Sequence, residues 1–176
     1  ACTYSNTINI SQPNVLAINP TIVNVNCKDE SNGYIILNTS GGTTPYIEDF
    51  GLANPAALAA GNYPFTITDN NACLYTSSIT ISEPDSLLVS PTSTNASCGG
   101  YFDGTATLVI TGGTPTYNSN WGLSNPNGLN AGYHTYIVTD ANNCISQGSV
   151  TITEPPAMQI IVDTFRVSCF GLSDGS

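Results

Sequence analysis

Short segments in which apolar and polar residues alternate recur along the chain, and turn-forming residues separate them. Residues 65–68 are Phe-Thr-Ile-Thr and residues 78–81 are Ser-Ile-Thr-Ile, while 34–39 and 105–110 are rich in β-branched residues and lead into Gly-Gly pairs. Alternation with a period of two is typical of half-buried strands, and Gly-Gly or Asn/Asp-rich clusters are typical of hairpin connections. The pattern therefore predicts an all-β protein.

The pattern repeats with a period of 71 residues. Cys2, Cys73 and Cys144 are evenly spaced, since 73 − 2 = 144 − 73 = 71, and Cys27, Cys98 and Cys169 form a second set with the same spacing. A fixed period indicates a modular array in which one structural unit is copied along the chain. We therefore divide the chain into the C-terminal end of a preceding repeat (1–13), two whole repeats (14–84 and 85–155), and the start of the next repeat (156–176).

Each repeat is predicted to be a small antiparallel β-sandwich. Short strands with turn signals at this spacing indicate an Ig-like module of about six or seven strands. Glu83-Pro84 leads directly into Asp85, so almost no linker separates the repeats. Proline restricts its own φ and the conformation of the preceding residue. We therefore expect tandem Ig-like modules stacked end to end as a rod.

Composition narrows the classes of partner and compartment. The net charge is −10, with twelve acidic residues against only Lys28 and Arg166. This balance excludes nucleic acid as a main partner and docking on anionic lipid through a polybasic patch. No stretch of eighteen apolar residues occurs, so direct membrane insertion is not expected. Six cysteines in regular columns are typical of disulfides and hence of an extracytoplasmic compartment.

Three disulfide patterns are consistent with the repeat. They are bonds within a repeat (Cys27–Cys73 and Cys98–Cys144), bonds across the junction (Cys2–Cys27, Cys73–Cys98 and Cys144–Cys169), and an inter-module bond (Cys27–Cys144). In Ig-like lettering, Cys98 is expected at the A–B turn and Cys144 at the F–G turn. These turns lie at opposite ends of strands about eight residues or ~25 Å long, whereas a disulfide needs Cα atoms within ~7 Å. End-to-end stacking would instead bring Cys27 beside Cys144. The geometry favours this pairing, and the other two remain open.

No catalytic constellation is evident in the sequence, and no cofactor is expected. His134 is the single histidine, and we expect it to be a surface or edge imidazole on a strand. Calcium at the module junctions is an alternative interpretation, because stacking would gather several carboxylates, namely Asp29, Glu30, Glu83, Asp85 and Asp140. However, Asp69 and Asp140 open turns in which aspartate caps the backbone. A structural role for these carboxylates is therefore the preferred interpretation.

The ordered motifs resemble the SprB repeat, which occurs in giant cell-surface adhesins of gliding bacteria. The residues that carry the resemblance in the second repeat are Cys98, Asp103-Gly104-Thr105, Thr111-Gly112-Gly113-Thr114-Pro115, Tyr117, Trp121, Ala131-Gly132-Tyr133, 138–144 (Val-Thr-Asp-Ala-Asn-Asn-Cys) and 150–155 (Val-Thr-Ile-Thr-Glu-Pro). The first repeat matches at Cys27, Gly41-Gly42, Pro45-Tyr46, Ala60-Gly61, 68–73 and 81–84.

The resemblance implies a non-enzymatic, structural and adhesive stalk segment of a secreted surface filament. It implies export through the outer membrane by type IX secretion, contact with the motility and secretion machinery, and attachment to external surfaces or polysaccharides during gliding. Asp85-Ser86-Leu87 resembles an O-glycosylation motif of bacteria that export such arrays, which makes Ser86 a candidate modification site. The alternative is a carbohydrate-binding or spacer region of a secreted polysaccharide-degrading enzyme, with Tyr4, Tyr75, Tyr101 and Phe102 as candidate aromatic platforms.

Overall fold

The computed structural model describes residues 2–164, 168–171 and 173. Arg166, one of the two basic residues, lies outside these described residues. Within them the chain forms twelve β-strands and no helix. The strands are β1 (Ala17–Ile18), β2 (Thr21–Val23), β3 (Tyr34–Ile36), β4 (Thr39–Ser40), β5 (Ile47–Asp49), β6 (Gly61–Thr68), β7 (Leu74–Ile81), β8 (Leu88–Thr94), β9 (Thr105–Thr111), β10 (Asn118–Asn120), β11 (Gly132–Thr139) and β12 (Ile145–Ile152). The all-β prediction is confirmed.

No helix among the described residues is long and apolar enough to cross a membrane.

The chain forms two compact units. The first comprises Ala1–Leu88, Ile110–Asn118 and Thr139–Ser146, and the second comprises Val89–Val109, Ser119–Val138 and Gln147–Ser176. The first unit thus contains the first predicted repeat together with segments 110–118 and 139–146. The repeat boundaries at 14, 85 and 156 remain a prediction from the sequence.

The first unit contains two antiparallel strand groups around one apolar core. β1 pairs with β4 and β2 with β3, while β6 lies between β5 and β7 in a three-stranded sheet. The buried side chains come from both groups: Leu16, Val25, Ile35, Leu37, Leu58, Phe65, Ile67, Ile79 and Ile81. Alternate residues of β6 and β7 point into this core, as the period-two pattern predicts. This arrangement is consistent with a β-sandwich.

One predicted strand is interrupted in the first unit. The sequence predicts a single strand over 34–39, but β3 ends at Ile36 and β4 begins at Thr39. Asn38 between them has a φ of 48°, and its amide donates to the Asn19 carbonyl and the Thr21 hydroxyl, both at 3.0 Å. Asparagine tolerates this left-handed conformation better than other residues with a Cβ. The local side-chain bonds therefore break the strand.

The second unit repeats the same plan. β8 pairs with β9, and β11 lies between β10 and β12. Its buried core consists of Ala96, Ala106, Leu129, Val150 and Ile152, with Trp121 packed against it. Trp121 lies 5.3 Å from the ring of Tyr136. Trp121 is therefore a packing residue of this core.

Hydrogen bonds in the first sequence repeat recur one period later in the second. Gly33 and Leu58 exchange backbone bonds at 3.0 and 2.8 Å, and Gly104 and Leu129 do so at 3.0 and 2.7 Å. Further bonds one period apart run from a backbone amide to a carbonyl: Val25 to Ser82 with Ala96 to Thr153, and Ile35 to Pro55 with Ala106 to Pro126. Two more run from a tyrosine hydroxyl to a carbonyl: Tyr46 to Gly41 with Tyr117 to Gly112. Since each bond has a counterpart 71 residues later, the repeat of the sequence is also a repeat of the backbone structure.

The expectation that His134 is a surface or edge imidazole is wrong. The side chain is only 8% exposed. Its Nδ1 lies 3.0 Å from the Ser124 hydroxyl, and its Nε2 lies 2.9 Å from the Asn130 carbonyl oxygen. One period earlier, the Tyr63 hydroxyl donates to the Ala59 carbonyl at 2.9 Å. The imidazole therefore takes the place of a phenol that binds the equivalent carbonyl, which is a structural role.

Candidate functional site

The chain contains one disulfide, Cys27–Cys144, among its described residues. Its Cα atoms are 5.6 Å apart and its cysteines are 117 residues apart in sequence. The pairing that the sequence analysis favoured is thus present, and both half-cystines belong to the first compact unit. Cys2, Cys73, Cys98 and Cys169 are exposed and carry no disulfide.

The Cys27 turn, residues 26–32, is held by bonds to its own unit. The Glu30 amide donates to the Cys27 carbonyl at 3.3 Å, and the Asn26 amide donates to Oδ1 of Asn32 at 2.9 Å. The Asp29 amide donates to the Glu83 carboxylate at 2.8 Å. These bonds fix the loop that carries the cysteine.

An ion pair fastens the same turn. Lys28 Nζ contacts Glu83 Oε1, and the Lys28 side chain is 40% exposed. The hydrogen bond from Lys28, aided by the Asp29 amide, lowers the pKa of Glu83 below its usual range. The bond to Glu83 likewise raises the pKa of Lys28. Glu83 thus positions the Cys27 turn, whereas the sequence indicated it only as a candidate calcium ligand.

The partner cysteine lies at the end of the Asp140 turn, residues 140–144. Both carboxylate oxygens of buried Asp140 accept backbone N–H bonds, from Thr114 at 2.7 Å and from Asn142 and Cys144 at 2.9 Å. This is the backbone-capping role that the sequence predicts for aspartate here. The carboxylate therefore fixes the backbone on which Cys144 stands.

Asn142 connects the two turns directly. Its Nδ2 donates to the Thr114 hydroxyl at 3.1 Å and to the Asn26 carbonyl at 3.0 Å. The second bond recognises the backbone of the Cys27 turn beside the disulfide. From the sequence the Asn pairs are predicted only as turn formers, and this contact is not predicted. The recurrence of asparagine in the same column, at Asn71, is the signal that could have revealed it.

The Asp69 turn, residues 69–73, is the first-repeat counterpart of the Asp140 turn. Asp69 accepts N–H bonds from Cys73 at 2.8 Å and from Thr43 and Asn71 at 2.9 Å. These bonds, led by the one from Cys73, lower the pKa of Asp69 below its usual range. Gly42 has a φ of +55°, and a Cβ there would lie 2.8 Å from Asp69 Oδ2. The Gly-Gly column therefore allows the backbone to approach the capping carboxylate.

Two open cavities flank these cysteines within the first unit. A cavity of about 430 Å³ beside the disulfide is lined by Cys27, Lys28, Asp29, Glu30, Ser86, Leu87, Asn143, Cys144 and Ile145. Another, of about 440 Å³, which we call the Cys73 groove, is lined by Gln12, Pro13, Asn14, Val15, Leu16, Gly42, Asp69, Cys73, Leu74 and Tyr75. Ser86, the candidate glycosylation site, is exposed at the first cavity.

Two of the carboxylates considered for calcium, Glu83 and Asp140, are engaged in other contacts. Glu83 binds Lys28 and the Asp29 amide, and Asp140 binds three backbone amides. In the described part of the chain, no group of three or more His, Cys, Asp or Glu side chains is placed to hold a metal ion.

The candidate aromatic platforms differ in exposure. Tyr75 is half-buried, and its ring lies 6.2 Å from that of the core residue Phe65. Tyr4 is 91% exposed, while the adjacent Tyr101 and Phe102 in the second unit are 59% and 70% exposed. Tyr75 is therefore a packing residue, and Tyr101 and Phe102 are the adjacent pair with free ring surface.

Fold and site together define a tandem-repeat β protein whose repeat copies share one set of backbone contacts. A family model described as the SprB repeat matches residues 19–47 and 90–121. The two matches begin one period apart, since 90 − 19 = 71. Residues 19–47 and 90–121 thus match the SprB repeat, and the resemblance stated from the motifs is confirmed. No curated protein and no solved structure matches the chain.

The SprB repeat is a structural repeat rather than an enzyme family, and it is associated with secreted cell-surface proteins. This association indicates an extracellular, adhesin-related repeat.

Proposed function

We propose that the chain is a stalk segment of a secreted cell-surface filament that supports attachment to surfaces and gliding motility. In this proposal tandem Ig-like modules stack end to end as a rod, and disulfides tie the repeats together. The filament is exported by type IX secretion and works with the motility and secretion machinery of the cell.

The observation that carries this proposal is the Cys27–Cys144 bond within a repeated backbone. The bond joins a cysteine of the first repeat to one of the second, 117 residues apart. Asn142, Glu83 and Lys28 add polar contacts that fix the two turns. A covalent tie between sequence repeats is suited to a chain that transmits tension. The capping bonds and core packing are structural features, as a stalk requires.

Labelling intact cells would test the surface location. Antibodies raised against the folded chain, applied to unpermeabilised cells of the source organism with immunogold detection, should mark filaments outside the outer membrane. Signal only after permeabilisation would contradict the proposal. Deleting the repeat-coding region should reduce attachment to glass and the speed of gliding. A deletion strain that attaches and moves normally would remove the adhesive and motility roles.

A carbohydrate-binding function is the second candidate, and the exposed pair Tyr101 and Phe102 favours it. Sugar rings stack on exposed aromatic faces, and such a site requires them free of core packing. Binding of the chain to a glycan array, lost in the Tyr101→Ala, Phe102→Ala double variant, would support it. A double variant at Tyr46 and Tyr117 is not a suitable control because both hydroxyls bond the backbone. Leu52→Ala and Leu123→Ala, both at fully exposed positions, provide the matched control.

Ser86 remains a proposed O-glycosylation site. Ser86 is exposed, which leaves its hydroxyl accessible. Its carbonyl oxygen lies so close to Gly112 that a Cβ at position 112 would clash with it. Intact-mass analysis of the protein isolated from its own cells, compared with a Ser86→Ala variant, tests this. A glycan mass that persists in the variant would place the modification elsewhere.

A further inference from the structure

The Cys73 groove is the first-repeat copy of a surface that is occupied in the second repeat. One period after the groove residues Val15, Leu16 and Leu74 stand Ser86, Leu87 and Ile145, which line the cavity beside the disulfide. There the Cys27 turn is bonded to Cys144. At the Cys73 groove the equivalent cysteine is exposed and carries no disulfide.

The residues that recognise the Cys27 turn are also copied at the groove. Asn142 reaches the turn while its Nδ2 is oriented by the Thr114 hydroxyl at 3.1 Å. Asn71 is held in the same way by the Thr43 hydroxyl, at 3.0 Å. A side-chain amide carries two N–H donors. Asn71 is thus arranged to donate its second hydrogen to an incoming backbone carbonyl, as Asn142 does.

The turn that would fit this groove is present in the second unit. Around Cys98, the Tyr101 amide donates to the Cys98 carbonyl at 3.2 Å, and the Ser97 amide donates to Asp103 at 2.9 Å. The Gly100 amide donates to Glu154 at 2.8 Å. Each bond has a counterpart in the Cys27 turn one period earlier. Residues 97–103, which we call the Cys98 turn, therefore present a cysteine in the same local conformation as the turn already docked.

We propose that the Cys73 groove binds the cysteine turn of another copy of this repeat and forms a disulfide with it. In a longer array that copy is the preceding repeat, and Cys98 makes the equivalent bond to the following one. Between separate molecules the pair is Cys98 of one chain and Cys73 of another. The proposal extends the tandem-repeat part of the proposed function and does not depend on adhesion, so each can fail without the other.

The bond forms by oxidation of two thiols. The Sγ–H groups of Cys73 and Cys98 lose two protons and two electrons as the S–S bond forms. Oxidised glutathione accepts the electrons and protons and becomes two molecules of glutathione.

The test mixes two full-length variants in which only one unpaired cysteine remains. Both carry Cys2→Ser and Cys169→Ser; the acceptor also carries Cys98→Ser, and the donor also carries Cys73→Ser. In a glutathione redox buffer, random pairing gives mixed and like dimers in a ratio of 2:1:1. We expect the mixed dimer to exceed this ratio about tenfold, which corresponds to about 1.4 kcal/mol of favourable free energy for docking of the turn in the groove. Non-reducing electrophoresis and peptide mapping measure the ratio.

Asn71→Asp in the acceptor removes the amide donor. The excess of the mixed dimer over the statistical ratio should fall about fivefold, which is the effect of losing one net hydrogen bond. Asn70→Asp adds the same charge one residue away and is the matched control, which should leave the excess unchanged. Circular dichroism melting curves confirm that both variants are folded. A statistical ratio of dimers would overturn the proposal. Equal effects of Asn71→Asp and Asn70→Asp would overturn the role of Asn71.

Discussion

Removing the disulfide should lengthen the chain that a pulling force can extract. With the Cys27–Cys144 bond intact, unfolding cannot extend the 117 residues between the two cysteines, which hold about 400 Å of extended backbone. Only the remaining 59 residues (176 − 117), or about 200 Å, can be stretched. The Cys27→Ser, Cys144→Ser variant should therefore extend to about 600 Å.

Single-molecule force spectroscopy on the full chain, held by its two ends, measures this difference directly. Reducing the disulfide of the unmutated protein with a thiol reductant should add the same ~400 Å of contour length as the double substitution does. Cys73→Ser with Cys98→Ser is the matched control, because both residues are exposed and carry no disulfide. Equal contour lengths for the oxidised protein and the Cys27→Ser, Cys144→Ser variant would refute the reasoning.

The same variant should lose stability through its unfolded state. Loop-closure entropy for 117 residues corresponds to about 5 kcal/mol at 25 °C. If the 41 loop residues of the second unit (89–109 and 119–138) stay folded, the value falls only to about 4.5 kcal/mol, because the dependence is logarithmic. Urea unfolding with and without reductant measures it. A shift below about 1 kcal/mol would contradict this entropic account.

Three further changes test the core, the capping aspartate and the buried imidazole. Leu37→Ala should cost about 2–5 kcal/mol in urea unfolding because the side chain is 1% exposed, whereas Leu52→Ala, fully exposed, should cost nothing measurable. Folding lowers the pKa of Asp69, so the stabilisation from its carboxylate is fully present above its unfolded pKa of about 3.9 and is lost as the pH falls through its folded pKa. The Asp69→Asn variant should therefore show a smaller fall of Tm between about pH 5 and 2. An unchanged pH profile of Tm would contradict the capping role. His134→Tyr should keep the melting temperature because Tyr63 makes the equivalent bond, while His134→Leu should lower it; equal melting temperatures would contradict a structural hydrogen bond.

The strands that follow from alternation were predictable, because side-chain period fixes which face is buried. The interruption at Asn38 was not, since it depends on bonds from the Asn38 amide to Asn19, between β1 and β2, and to Thr21, at the start of β2. The second repeat has Val109 at that column, a β-branched residue that favours an extended chain, and β9 continues through it. Two copies of one motif therefore differ in strand continuity through a single side chain.

The site was predictable where spacing limits geometry and not where it depends on a few side-chain contacts. The Cys27–Cys144 pairing could be favoured because the length of a strand keeps the two cysteines of one repeat too far apart to form a disulfide. Burial of His134 was missed because a lone histidine carries no periodic signal, although its alignment with Tyr63 was available. The contact from Asn142 to the Asn26 carbonyl required the two turns to be placed in space.

The 117-residue span of the disulfide exceeds the 71-residue period of the sequence. Any protease cut between residues 27 and 144 therefore leaves two fragments that stay covalently joined. If each repeat forms the same bond, successive loops overlap by 117 − 71 = 46 residues, so no single cut inside the array would release its outer part. Resistance to severing would then come from the connectivity of the cysteines, whatever the stability of each domain.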